Sequence, residues 1–208
     1  MHKSIHETES KENISRLLAL PPELRDLIFE YALTSSRPIV TFRLDTYQRD
    51  SFEEATQPAL TRVNRQLRLE TLSVFYACNA FVLHTEGAKL DDAREWLCCN
   101  EAYLKTMRHF EIWIRHITRR SANPASHGAV GLSVRRSLKH ARWRVSSDWR
   151  WITVIRKPSG LQEDAEWLIA RLRRLLINES TTFLNAEAWS DLIAEARVAY
   201  LRQKAAYQ

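Results

Sequence analysis

Leu20-Pro21-Pro22-Glu23-Leu24-Arg25-Asp26-Leu27-Ile28-Phe29-Glu30-Tyr31 is the stretch that decides how the chain is organised. Paired prolines suit the first turn of a helix, where a missing N–H costs no hydrogen bond. Glu23 and Asp26 follow near the positive end of the helix dipole, where acids are favoured. Leu24, Leu27, Ile28 and Tyr31 recur at three- and four-residue spacing, which predicts an amphipathic helix ending near Thr34-Ser35-Ser36. Leu24, Ile28 and Phe29 cannot all share one narrow stripe. Either some stay outside as an apolar partner surface, or a second helix and the strands cover them all.

Working outward, Met1 to Asn13 is polar and is expected to be disordered, leaving one domain over 14–206. Pro38 to Leu44 is β-branched and aromatic and predicts a short strand, and Asp45 to Thr56 a polar loop. Pro58 is expected to open a second helix that runs to about Tyr76. Leu60, Val63, Leu67 and Val74 would mark its buried face, with Arg62, Arg65 and Arg68 solvated. Asn79 breaks it, and Ala80 to His84 predicts another strand. Asp91 to Cys99 reads as a helix with Ala93, Trp96 and Leu97 inward.

Met107 to Ile117 alternates as a strand, with Phe110, Ile112 and Ile114 on one face and Glu111, Trp113 and Arg115 on the other. Thr118 to Leu132 is expected to be a mobile loop. Ala141 to Lys157 holds a strand or hairpin in which Trp151, Thr153 and Ile155 alternate against Ile152 and Val154. Ser159 can cap a helix over Leu161 to Ile177, whose stripe is Leu161, Ala165, Leu168, Leu172 and Leu175. Its acids come early and its arginines late, as the dipole prefers. A last helix, about Asn185 to Gln203, carries Trp189, Leu192, Ile193, Ala196 and Tyr200. The expected class is α+β: N-terminal helices, a small antiparallel sheet and a C-terminal helical hairpin.

Bulk composition narrows the function. The 208 residues are 45% hydrophobic and 27% charged, so a real core can form. Only four glycines are present, which argues against a phosphate-cradling loop. The net charge of +6 favours acidic partners, but a charge of this size is common and a solvated basic face is the preferred account. Cys78, Cys98 and Cys99 lack zinc-ligand or redox spacing and read as reduced thiols, with Cys98-Cys99 buried beside Trp96. The polar N-terminus carries no secretory core and no apolar run approaches about 18 residues, so cytosol or nucleus is expected, with no membrane contact.

The seven histidines fit no HExxH motif and no triad order, and no nucleophile elbow surrounds a serine. His109 and His116 read as partly exposed sheet residues. The expectation is a non-enzyme with no cofactor and no metal. A second informative stretch is basic and aromatic: Arg135, Arg136, Lys139, Arg142, Arg144, Arg150, Arg156 and Lys157 interleave with Trp143, Trp149 and Trp151. Cations that neutralise phosphates and rings that stack on bases would suit single-stranded nucleic acid. The competing account is a sheet whose tryptophans pack inward and whose arginines are solvated.

Two blocks carry a family likeness. Leu20 to Tyr31 is similar to the F-box pattern of Leu-Pro-x-Glu-Leu, a spacer, then Ile-Phe. Val63, Arg65, Gln66, Leu67, Arg68, Glu70, Leu72, Phe75, Tyr76, Asn79 and Phe81 resemble the second half of fungal F-box-like domains. The likeness spans about residues 15–84 and is to a fungal family of small proteins with two Glu-x-Arg motifs. The first motif is Glu23-Leu24-Arg25. The second departs as Gln66-Leu67-Arg68, a strand and loop separate the blocks, and the usual second-helix tryptophan is absent. The resemblance implies a protein-interaction module in which the two helices pack together and Leu20, Pro21, Leu24, Ile28 and Phe29 meet a Skp1-type ubiquitin-ligase adaptor. Residues 85–206 would then meet an unknown target. Motif position also suggests that Arg25 and Glu70 pair between the helices.

Overall fold

The computed structural model describes residues 15–43, 50–85, 87–117, 128–137, 139, 142–152, 157–178 and 184–206. The chain passes through helix α1 (Pro22–Leu33) and two very short strands, β1 (Ile39–Val40) and β2 (Glu53–Glu54). A 3-10 turn (Ala59–Arg62) leads to α2 (Arg65–Cys78), β3 (Ala80–His84), α3 (Ala88–Cys99) and α4 (Glu101–Leu104). Strands β4 (His109–Arg115), β5 (Ala129–Arg136) and β6 (Trp143–Ile152) follow, then α5 (Leu161–Asn178) and α6 (Ala186–Ala206).

The α+β class and the C-terminal helical pair are as the sequence predicts, but the sheet is mixed rather than antiparallel. Its strand order is β2-β1-β3-β4-β5-β6. β1 pairs with β2 and β3 in parallel, as β3 does with β4, while β4–β5 and β5–β6 are antiparallel. Neighbouring parallel strands need a crossover, and α3 with α4 supplies it between β3 and β4. The run Phe81-Val82-Leu83 is buried on both faces, the pattern of an interior parallel strand.

Other boundaries shift for local reasons. The expected Pro58 helix divides, because the Asn64 side chain accepts the Leu67 N–H (2.8 Å) and caps α2 there. Val63 therefore sits at a turn and is exposed, not inward. Residues 129–132 belong to β5, not to a loop. The fit at Gly131 is close: a Cβ would lie 3.1 Å from the Ile152 side chain, which would have to give by a few tenths of an ångström. Cys98 and Cys99 are exposed free thiols rather than buried beside Trp96. The expected disordered N-terminus, residues 118–127 of the expected loop, and Thr153, Val154 and Ile155 lie outside the described residues.

All the large helices cover one face of the sheet. Phe81, Leu83, Phe110, Ile112, Ile114, Val130, Leu132 and Val134 meet Phe29, Leu72, Phe75, Leu97, Leu168, Leu172, Trp189 and Ile193 in one core. The predicted α5 stripe is buried at each of its five positions. The far face has a smaller cluster of Val40, Phe42, Val82, Trp113 and Ala129, flanked by Phe52 and Ile152. β6 forms one border of the sheet, and its register with β5 shifts between Leu132 and Val134. No helix among the described residues is long and apolar enough to cross a membrane.

Trp189 anchors α6 against the sheet. Its ring is fully buried, 4.6 Å from Phe110 and 4.9 Å from Trp143 between centroids, yet its indole N–H has no acceptor. Trp189→Ala should therefore lower unfolding stability by about 3–5 kcal/mol in urea titration. Trp189→Phe should cost less, because it removes the orphaned donor along with the lost area.

Candidate protein-docking surface

Helix α1 buries a charged residue in its core-facing stripe. That stripe is Arg25, Phe29 and Leu33, at four-residue spacing. The Arg25 guanidinium donates from Nε to Glu70 Oε2 (2.9 Å) and from Nη2 to Glu70 Oε1 (2.8 Å). Its Nη1 donates to the Leu20 carbonyl (2.6 Å), so one side chain ties α2 to the segment entering α1. Gln66 Nε2 adds a third donor to Glu70 (3.0 Å). The hydrogen bond from Arg25, then that from Gln66, holds the Glu70 carboxyl below its ordinary range, while Glu70 raises Arg25. The pairing expected from motif position is present in its fork-to-fork form.

The remaining motif residues extend the same join. Buried Asn79 donates through Nδ2 to Leu33 O (2.8 Å) and Phe75 O (2.9 Å) and accepts the Ser35 N–H (2.8 Å). One amide thus satisfies chain ends of both helices. Tyr76 bonds Asn100 and stacks on Tyr103 at 4.7 Å, and burial pushes its hydroxyl up to about 12. Phe81 packs on Phe75, Tyr76 and Trp96. Glu23 lies exposed in the first turn of α1, and exposed Arg68 donates to Gln57 (3.3 Å).

With its inner stripe so occupied, α1 turns its strongest apolar stripe outward. Leu24 is 48% exposed, Leu27 62%, Ile28 43% and Tyr31 92%. Pro21 is also exposed and Leu20 half-buried. Phe29 is the correction: with no exposed surface, it belongs to the core and not to the ridge. The sequence pattern located the stripe but not its direction, because it outweighs the inner stripe that holds an arginine. The signal that could have found the direction is the four-residue series Arg25, Phe29, Leu33.

The basic and aromatic stretch is divided between faces. Trp143, Trp149 and Trp151 pack half-buried against the helix-covered core. Arg144 alternates to the far face, and Arg150 there pairs with Glu111, which also accepts the Trp113 indole N–H (3.2 Å). Lys157 lies over the Trp149 ring at 4.0 Å. Arg142 is exposed ahead of β6. Among the described residues, rings and guanidinium groups therefore do not form one stacking platform.

A buried polar cluster went unrecognised in the sequence. His116, after β4, donates from Nε2 to Asp164 Oδ2 on α5 (2.9 Å). From α6, Tyr200 donates to Oδ2 (3.0 Å) and Lys204 to Oδ1 (2.6 Å). Burial alone would raise the Asp164 carboxyl, but the bonds from His116, Lys204 and Tyr200 outweigh it and hold it low. Burial and the Asp164 charge push the Tyr200 hydroxyl far up, so it stays protonated. A charged acceptor saturated by three donors suits a tie between helices. Its members are dispersed over 116–204, and no local spacing reveals them.

His84 sits on the far face with its Nδ1 buried and without a partner, and its ring meets Phe42 edge-on at 5.7 Å. Burial first, then Lys89, Arg197 and Arg115, lowers it from 6.5 to about 3. Burial and Arg135 lower His109 as well. His84 stays neutral in the folded chain while the unfolded chain takes up a proton there. The contribution of His84 to stability is thus fully present above about pH 6.5 and is lost as pH falls toward about 3. Wild type should lose more urea midpoint than His84→Phe between about pH 7 and about pH 5. For the helix clamp, Arg25→Ala and Glu70→Ala should each destabilise, and the double variant by less than their sum. Arg25→Lys should not restore the wild-type midpoint, since an ammonium cannot match the fork. Comparison with protein-family models, with curated proteins and with solved structures returned no match for this chain.

Proposed function

We propose that this chain is a protein-docking module of F-box-like type whose contact surface is the outward ridge of α1. The observation that carries the reading is the exposure of Leu24, Leu27, Ile28 and Tyr31 on a helix whose opposite stripe is pinned by Arg25 and Phe29. Exposed apolar side chains on a rigidly held helix lower the ordering cost of association. The likeness of residues 15–84 to F-box-like domains supports a Skp1-type adaptor as occupant. On that reading residues 85–206 present a target to a ubiquitin ligase, in cytosol or nucleus.

The test is a purified binding assay between the full chain and a Skp1-type adaptor. Wild type should form a complex on size-exclusion chromatography. Leu24→Asp combined with Ile28→Asp should weaken binding by about tenfold or more while leaving the urea midpoint near wild type. Phe29→Ala should instead lower stability, by about 3–5 kcal/mol as for a buried aromatic. No complex with the wild-type chain, or a complex indifferent to the ridge substitutions, would remove the adaptor role.

A further inference from the structure

Helices α5 and α6 enclose a cleft of about 280 Å³ lined by Trp167, Ala170, Arg171, Arg174, Ala199 and Arg202. No residue of α1 or α2 contributes to it, so its role is independent of the ridge. The two alanines keep it open, and the indole of Trp167 supplies an apolar wall. Three guanidinium groups stand around it. Arg171 is paired with Glu195, but its Nε–H is buried without an acceptor. Arg174 and Arg202 are exposed and make no ion pair or hydrogen bond among the described residues. Glu195 offsets only Arg171; the two remaining like charges repel, and an anion between them relieves that repulsion.

The lining states the ligand chemistry. Guanidinium forks match the oxygens of a phosphate, and indole faces favour flat rings. Small-molecule pockets commonly run from about 300 to 1,000 Å³, so this one suits a group the size of a single side chain rather than a large cofactor. We propose that the α5–α6 cleft binds a phosphate monoester carried on an aromatic ring, as a phosphorylated tyrosine side chain of a partner presents it. The ring lies along Trp167 and the phosphate meets Arg174 and Arg202, with Arg171 closing the wall.

The experiment titrates phenyl phosphate into the full chain and follows the indole N–H resonance of Trp167, assigned by its loss in Trp167→Phe. Phenyl phosphate should shift that resonance saturably. The variant Arg174→Ala with Arg202→Ala should weaken the interaction by about tenfold or more at an unchanged urea midpoint. Inorganic phosphate should bind more weakly than phenyl phosphate, because it leaves the indole wall empty. No shift, or a shift unaffected by the double variant, would overturn the proposal. Equal binding of inorganic phosphate would reduce the cleft to a simple anion site, and tighter binding of adenosine monophosphate would make it a nucleotide site; either refutes the side-chain assignment.

Discussion

A guanidinium placed inside a greasy stripe is the constraint on which the N-terminal half depends. Burying Arg25 is tolerable only if its charge is met, and each of its three nitrogens donates, two to Glu70 and one to the Leu20 carbonyl. Those acceptors come from fixed directions, so they set the rotation of α1 about its axis. Once that rotation is set, Phe29 and Leu33 must face the core and Leu24, Leu27, Ile28 and Tyr31 must face away. An all-apolar inner stripe would bury as much area but would specify rotation less sharply, since hydrophobic contact is non-directional. Asn79 adds a second directional lock, joining the ends of the same two helices.

The C-terminal half uses the same device around a different charge. Asp164 draws donors from the end of β4 and from two turns of α6. Around both charges the apolar core supplies bulk stabilisation, and the charged centres fix how the helices are oriented on the sheet. The hydrogen bonds around Asp164 and Glu70 hold both carboxyls below their ordinary range.

What could be read from the sequence follows the range of the forces involved. The five inward positions of α5 and the alternation of Phe110, Ile112 and Ile114 were legible, because one period over many residues dominates. The orientation of α1 was not, because it depends on Glu70, forty-five positions away. Strand β5 was missed where Gly131 and Ser133 dilute its apolar content, although Val130, Leu132 and Val134 hold the alternation. Sheet polarity was misjudged because pairing direction is decided by crossovers, which no single strand encodes. The Arg25–Glu70 pair was legible only through motif likeness, and the Asp164 cluster had no local signature at all.

The outer border of β6 bears on how the protein behaves at high concentration. A ten-residue strand at the rim of a sheet is a template onto which another chain could add. Here Arg144, Asp148 and Arg150 stud it, the register slips midway, and Arg173 reaches across to the Val145 carbonyl (3.3 Å). Each of these spoils a flat run of free backbone groups. A few charges and one irregularity thus guard this margin of the sheet against strand addition.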